Sequence, residues 1–301
     1  AAIPYQFYAW LAIAIVPMLT FLRFDFGPMA EAEEKAGDNA LLVSVADEPG
    51  NDKARPILIW LPLVMLGVAL FTILGAHGFP FEQVSGPDFR AGLSAAYLLA
   101  AVTLFILLIG LGVKTTTESF VDYTRGMSGM MPIAATLVLA WTLGDLSETL
   151  GTGAYVAEIA RDGVPGWLVP AVIFILSAII SFATGSSWGT IVIMMPLAIP
   201  AAIATGADLS VTIGAVLSGG LFGDHSSPIS ETTILSSTGA GTTPLAHFRT
   251  QLPYALTNGV IAFGCFVAAG LTASTSMVFA ALILQFAVLL VIRYRLRSRQ
   301  A

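Results

Sequence analysis

The stretch LSVTIGAVLSGGLFGDHSSPISETTILSSTGAG, residues 209–241, decides the fold of this chain. It begins as an apolar helix, and three glycines predict a break in that helix: Gly219, Gly220 and Gly223. A second, short helix is predicted from Pro228. It carries hydroxyls at spacings of three and four residues, which place them on one face: Ser230, Thr233 and Ser237. Because polar groups are costly in lipid unless they line a site or a cavity, the stretch predicts an ion site at a broken membrane helix.

Composition places the whole chain in a membrane. The 301 residues are 56% hydrophobic and only 11% charged, with a mean hydropathy of +0.84. These values exclude an ordinary soluble domain and predict an all-α polytopic membrane protein, with the lipid bilayer as its surroundings. Much of the formal charge of −6 comes from one acidic segment, residues 25–55. We interpret this segment as a solvated cytoplasmic loop, so the composition gives no reason to expect a nucleic-acid partner.

The chain divides near residue 130 into two predicted domains. Residues 1–130 are predicted to hold membrane spans around the acidic loop: 3–24, 56–76 and 89–113. Residues 114–129 are polar and are predicted to form an interfacial segment. Residues 131–301 are predicted to form a transport unit, with these parts in order: a polar-ended span at 131–159, a hairpin at 167–204, the broken helix at 209–241, and two C-terminal spans at 253–271 and 277–292.

The hairpin prediction depends on charge. Residues 167–204 are apolar except for TGSSWG at 184–189, so they could form two spans, one broken span or a re-entrant hairpin. If the segment returns to the side it entered, one side of the membrane holds 11 of the 13 basic residues, counted from the same sequence. The positive-inside rule then makes the C-terminus cytoplasmic. Two full spans give the same parity, but the uncharged tip favours a re-entrant turn.

Asp224 is the predicted centre of the ion site. The first half of the broken helix is expected to end with unpaired carbonyls at residues 219–222, which suit a cation. Ser227 before Pro228 fits an N-cap followed by a first-turn proline, so the second half points its positive end at the same place. The hydroxyls of Ser226, Ser227 and Ser230 add hard oxygen ligands for Na⁺. A carboxylate that binds either Na⁺ or a proton gives a simple mechanism of antiport.

Other polar residues have two interpretations each. Asp145 and Glu148 share a helix face and form either a second ion site or a water-exposed helix end. Thr184 and Ser187 either satisfy backbone groups at the hairpin tip or face the transported ion, and the second is favoured. His225 is interpreted as holding the break in shape, in preference to acting as a pH sensor.

Four segments resemble the NhaC-type Na⁺/H⁺ antiporter family of the ion-transporter superfamily. They are GDHSSPISETTILSSTGAG from Gly223, TQLPYAL from Thr250, ATGSSWGTIVIMMPLAIPAA from Ala183, and the first span ending in DFGPM. The resemblance implies inverted repeats, each with a re-entrant hairpin and a discontinuous transmembrane helix, of which this chain holds one repeat plus flanking spans. The family motif falls on six positions: Asp224, Ser227, Pro228, Ser230, Thr232 and Thr233. Glu231 stands where the family more often has aspartate.

An earlier GDxxSPxSDTT-like copy of the motif, usual in the family, is absent from the sequence. The chain therefore resembles the C-terminal portion of a family member, and its start at Ala1 without a methionine favours a truncated chain. The expected partners are the missing N-terminal half of the same protein, a homodimeric copy, Na⁺ and H⁺.

The leading hypothesis is a Na⁺/H⁺ antiporter of the cytoplasmic membrane, with no cofactor besides the transported Na⁺ and H⁺. The alternative is a Na⁺- or H⁺-coupled exchanger of small organic acids or amino acids. A fixed cation would be expected for that alternative, and no arginine or lysine lies at the predicted midplane, although helix N-termini can also bind anions. HExxH does not occur, and GxSxG occurs only as GSSWG at 185–189, between two long apolar runs and not after a predicted strand. The sequence therefore predicts no enzyme.

Overall fold

The protein is described by a computed structural model over residues 2–39, 55–79, 82, 84–151, 155, 158 and 163–300. Every regular element in these ranges is helical. Two short 3₁₀ turns, Ile3–Tyr5 and Gly166–Leu168, precede helices. The α-helices are α1 Phe7–Leu22, α2 Pro28–Asn39, α3 Ile57–Ala76, α4 Gly86–Gly110, α5 Thr116–Thr149, α6 Val169–Thr184, α7 Ser187–Thr205, α8 Leu209–His225, α9 Glu231–Gly239, α10 Pro244–Thr272 and α11 Met277–Gln300.

Within the described ranges, six helical segments are long and apolar enough to cross a membrane. They are Ile57–Ala76, Gly86–Gly110, Gly166–Thr184, Ser187–Thr205, Pro244–Thr272 and Met277–Leu296. Phe7–Leu22 is a shorter apolar helix. The prediction of an all-α polytopic membrane protein is confirmed, because the long apolar runs form continuous helices in which every backbone bond is internal.

The chain forms two compact units, Ala1–Ala40 with Ile133–Ala301, and Leu41–Pro132. This grouping differs from the sequence-based division near residue 130, because α1 packs against α8, α10 and α11. In the second unit, α3 and α4 pack together. Gly92 permits this approach, since a Cβ there would lie 3.1 Å from a methyl of Ile73. Residues 40–54 of the acidic segment at 25–55 lie outside the described residues, and the start of the segment forms α2.

One helix replaces two predicted segments. The interfacial segment at 114–129 and the start of the predicted span at 131–159 are joined in α5, which is continuous over 34 residues. The separation of the two segments was therefore wrong. The glycines at 126 and 129 each cost about 1 kcal/mol in a helix, but they remove no backbone hydrogen bond. A change in composition from polar to apolar does not by itself end a helix.

The core of the first unit is built from α6, α8, α10 and α1. Phe7, Phe174 and Phe266 are fully buried there, and the Phe266 ring lies 4.8 Å from that of Phe7 and 5.2 Å from that of Phe174, centroid to centroid. Aromatic rings at such distances pack favourably beyond the area they bury. Three helices are thereby held against one another, and Phe222 near the end of α8 stacks on Phe174 at 5.8 Å, centroid to centroid.

Candidate functional site

The broken helix has its break later than the sequence predicted. The first half, α8, continues through the glycines and ends at His225, and α9 begins at Glu231, so the break is residues 226–230. The prediction that the glycines break the helix was wrong. Added Cβ atoms at Gly219 and Gly223 would strike the backbone of Phe174 and Ala178 in α6. These two glycines, four residues apart, let α6 and α8 approach closely.

The predicted unpaired carbonyls at residues 219–222 are therefore absent. Because α8 continues, its backbone bonds reach the last turn, where the Ser226 amide donates to the Phe222 carbonyl at 3.0 Å. The Gly220 carbonyl also accepts a hydrogen bond from the Ser181 hydroxyl at 2.6 Å. Ser181 is fully buried, and it was missed by the sequence analysis because its partner lies on another helix. The C-terminal end of α8 is still negative by its dipole, but it lies at the break.

Ser230, and not Ser227, caps the second half. The Ser230 hydroxyl accepts from the Thr233 amide at 3.0 Å, which is the capping bond of a helix that begins at Glu231. Pro228 lies in the break and not in the first turn. Ser227 instead ties the two halves together, because its amide donates to the Asp224 carbonyl at 3.1 Å and its carbonyl accepts from the Thr233 hydroxyl at 3.1 Å.

Asp224 is 2% exposed and is the only buried carboxylate among the side chains that the structure describes. Its Oδ2 accepts a hydrogen bond of 2.7 Å from the Thr232 hydroxyl, which reaches back across the break. The Ser230 hydroxyl lies 3.0 Å from the hydroxyls of both Thr232 and Thr233. A carboxylate and three hydroxyls thus form one connected group around the break, and this group is made only of oxygen atoms.

Ser226 adds an oxygen without a partner. It is 5% exposed, and its hydroxyl has no hydrogen-bond partner within the described ranges. A buried hydroxyl without a partner is costly in the folded state unless something else satisfies it. Ser226 lies two residues after Asp224, at the C-cap of α8. Glu231, at the start of α9, is exposed instead.

The hairpin tip lies against the break. Gly185 joins α6 to α7 with a φ of +67°, and a Cβ there would lie 2.9 Å from the Ile229 carbonyl oxygen. Of the two predicted tip ligands, Thr184 is exposed and its hydroxyl bonds to the Ile180 carbonyl of its own helix. Ser187 is half-buried. Its backbone carbonyl oxygen lies against α8, because a Cβ added at Gly220 would be 3.5 Å from it. The tip therefore contacts the break through backbone.

Asp145 and Glu148 lie in the last turns of α5. Their side chains are outside the described part of the structure, so the second candidate site stays a prediction.

His225 joins the break to α1 and α10. Its Nδ1 lies 3.2 Å from the hydroxyl of Tyr8, which is buried to 1% exposure. Its carbonyl accepts from the Gln251 side chain at 3.3 Å. Through these two contacts His225 is joined to α1 and α10, and its role in holding the break in shape stays a prediction. The sequence did not predict that Tyr8 and Gln251 contact His225, since each lies more than 25 residues from it along the chain.

A cavity of about 780 Å³ opens beside the break. Its wall is formed by α1, the segment after α1, the end of α8 and α10. Residues of this wall, in that order, are Tyr8, Arg23 and Asp25, His225, and Asn258. This volume is in the usual range for small-molecule sites and is far larger than a dehydrated ion requires. The cavity was not predicted from the sequence, because its wall depends on helices from opposite ends of the chain.

The helices and the site define a multi-pass membrane protein with a polar helix break at a buried carboxylate. Residues 1–271 match the Na⁺/H⁺ antiporter family, and the chain belongs to that family.

Three relatives extend this comparison. The chain is 31% identical over 292 residues to an uncharacterized protein of Haemophilus influenzae, covering 92% of this chain and 55% of that protein. It is 29% identical over 222 residues to an uncharacterized Na⁺/H⁺ antiporter of the same organism, covering 72% and 42%. It is 34% identical over 124 residues to the malate-2H⁺/Na⁺-lactate antiporter of Bacillus subtilis, covering 40% and 26%. The chain thus spans about half the length of the first of these relatives. No solved structure matches it.

Proposed function

We propose that the protein is a secondary transporter that exchanges Na⁺ for H⁺ at Asp224. The observation that carries the proposal is a buried carboxylate at a helix break surrounded by hydroxyl oxygens. Discontinuous helices with such ligands are the usual coupling-ion sites of secondary transporters. Membership in the Na⁺/H⁺ antiporter family supports the same assignment.

The proposed exchange depends on competition at one carboxylate. When Asp224 is ionised, its oxygens and the unpartnered Ser226 hydroxyl bind Na⁺ together, with the negative end of α8 behind them. When Asp224 takes up a proton, the charge that holds Na⁺ is lost and the ion leaves. Each ion thus displaces the other, and a gradient of one drives movement of the second. The hydroxyls of Ser230 and Thr233 hold Thr232 in place for its bond to the carboxylate.

We also propose the finer topology that the family resemblance implies. Residues 167–204 act as a hairpin whose turn reaches the ion site, as the contact of Gly185 with Ile229 supports. The two hairpin segments, Gly166–Thr184 with its leading 3₁₀ turn and Ser187–Thr205, have 19 residues each. At about 28 Å, their length suits full spans as well as a re-entrant hairpin. The C-terminus is proposed to be cytoplasmic, in an NhaC-type protein of the cytoplasmic membrane. An N-terminal half that carries the second repeat would complete the site, and the whole would pair as a homodimer.

The test is Na⁺-driven proton movement in vesicles that contain the full-length protein, with wild type compared to Asp224→Asn. This change keeps the shape of the side chain and removes its charge. The matched control is Asp208→Asn, because Asp208 caps the other end of the same helix through a 2.9 Å bond to the Val211 amide and asparagine caps equally well. Exchange is expected in wild type and in the control and should be lost in Asp224→Asn.

A second candidate function is exchange of a small organic acid or amino acid against Na⁺ or H⁺. The cavity beside His225 favours it, since a site for Na⁺ alone needs no such volume. One relative is named a malate-2H⁺/Na⁺-lactate antiporter. If wild-type vesicles ignore Na⁺ in the absence of a solute but exchange a labelled organic acid, this second function replaces the first. Wild-type rates of Na⁺/H⁺ exchange in Asp224→Asn would remove Asp224 from either mechanism.

A further inference from the structure

A buried amide pair lies between α1, α10 and α11. Gln285 is fully buried, and its Nε2 donates to the Leu11 carbonyl at 2.8 Å and to Oδ1 of Asn258 at 2.8 Å. Asn258 is 2% exposed and forms part of the cavity wall. Neither residue belongs to the hydroxyl group around Asp224. The pair therefore requires a role of its own.

The orientation of Asn258 follows from hydrogen-bond chemistry. A backbone carbonyl can only accept, so Gln285 must turn its nitrogen toward Leu11. The second hydrogen on that nitrogen then requires an acceptor, which fixes Oδ1 of Asn258 toward Gln285. The opposite assignment of either amide would place two acceptors or two donors against each other. The amide nitrogen of Asn258 consequently remains for another partner, and no described residue accepts a hydrogen bond from it.

This orientation decides what Asn258 can bind. The oxygen of Asn258 already accepts one hydrogen bond, from Gln285, which fixes the direction in which it faces. Both N–H donors of Asn258 lack an acceptor among the described residues, and Asn258 lines the cavity, so this side chain suits a carboxylate or carbonyl oxygen. Arg23 lies on the same wall and supplies the fixed cation that an organic anion requires. Asp25 and Glu33 also border the cavity and would meet an amino group, if the solute carries one.

We infer that the cavity binds a small carboxylate-bearing organic solute and that the Asn258 amide donates to its carboxylate, with Gln285 as the positioning residue. The inference rests on the second candidate function and names its site and its ligand chemistry. A solute in this cavity lies against His225, which directly follows Asp224 in the sequence. Solute and ion would then occupy neighbouring sites.

The experiment measures binding to the purified full-length protein by ligand-induced shifts in unfolding temperature, with no ion gradient. The probes are L-malate and L-arginine, each paired with an analogue that lacks the carboxylate: dimethyl malate and agmatine. At least one acid is expected to stabilise wild type while its paired analogue does not. Malate alone identifies organic acids as the class, and arginine alone identifies amino acids. If neither stabilises wild type, the inference is overturned.

Asn258→Asp tests the donor directly, because it keeps the size of the side chain and replaces both donors by an acceptor. The Kd of the effective acid should rise roughly tenfold or more. Asn258→Leu gives the same comparison if the aspartate variant does not fold. Gln285→Leu leaves Asn258 free to rotate and should raise the KM for that acid while the maximal transport rate changes little. Unchanged Kd values in both Asn258 variants would refute the assignment. Since binding needs no Na⁺ gradient, the outcome is independent of exchange at Asp224.

Discussion

Thr232 donates a 2.7 Å hydrogen bond from its hydroxyl to Oδ2 of Asp224, and this bond joins the first turn of α9 to the last turn of α8. The donor stands on one side of the helix break and the acceptor on the other. Any movement that separates the two half-helices must break this bond. The charge state of Asp224 and the geometry of the break are therefore coupled through a single contact.

Replacing Thr232 by valine removes the donor and keeps the shape of the side chain. A hydrogen bond to an ionised group contributes about 1.5–3 kcal/mol, and its loss weakens the carboxylate arrangement proposed to hold Na⁺. The apparent affinity for Na⁺ should fall roughly tenfold or more. The measurement is the Na⁺ concentration for half-maximal proton release.

The control for this change is Thr212→Val. Thr212 is a fully buried threonine on α8, and its hydroxyl bonds to the Asp208 carbonyl within its own helix. Its variant should keep the wild-type affinity for Na⁺. Equal Na⁺ affinity in Thr232→Val and wild type would show that the bond does not tune the carboxylate.

Ser226 allows binding and stability to be separated. Its hydroxyl is buried and unpartnered, so Ser226→Ala removes a polar group that stabilises nothing in the ion-free protein. The unfolding temperature without Na⁺ should be unchanged or higher, while the stabilisation gained on adding Na⁺ should shrink. Ser177→Ala is the matched control, because that hydroxyl on α6 is also buried without a partner in the described structure. A normal Na⁺ response in Ser226→Ala would exclude the hydroxyl as a ligand.

Gly223→Ala should destabilise the packing of α8 on α6. The new Cβ would strike the Ala178 backbone, which cannot move without shifting a whole helix. Overpacking of this kind costs about 1–3 kcal/mol or more. Gly264→Ala in α10 is the control, since no atom lies within 4 Å of its added Cβ, and alanine is the better helix former. Thermal unfolding in detergent should show a loss only for Gly223→Ala. Equal stability of the two variants would contradict the close approach.

Gly185→Ala tests the contact between the hairpin tip and the break. Both Gly185 and Gly206 have a positive φ, +67° and +70°, so alanine strains the backbone equally at each. Only at Gly185 does the added Cβ also press on another segment, 2.9 Å from the Ile229 carbonyl oxygen. Gly185→Ala should therefore reduce Na⁺-driven proton movement beyond the effect of Gly206→Ala. Equal transport in the two variants would indicate that the tip does not support the ion site.

Several features of the site were predictable because they depend on neighbouring residues. A break close to GDHSSP follows from serine and proline, which end helices locally. The burial of Ser230, Thr233 and Ser237 follows from their spacing on one face, and all three are buried. The glycines were misinterpreted because a glycine that breaks a helix and a glycine that lets a second helix approach are identical in sequence. Only the position of Phe174 and Ala178 distinguishes the two roles.

The sequence by itself determined that this protein is helical and crosses a membrane several times, since continuous apolar runs leave no other way to satisfy the backbone in lipid. It also determined that Asp224 lies at an interrupted helix. Only the tertiary structure decided which residues surround the end of α8 at Asp224 and which side chains line the cavity beside it. Tyr8 meets His225 from 217 residues away, and Gln285 orients Asn258 while bonded to Leu11, 274 residues distant. Such contacts depend on how helices pack, which a linear pattern of polar and apolar residues does not specify.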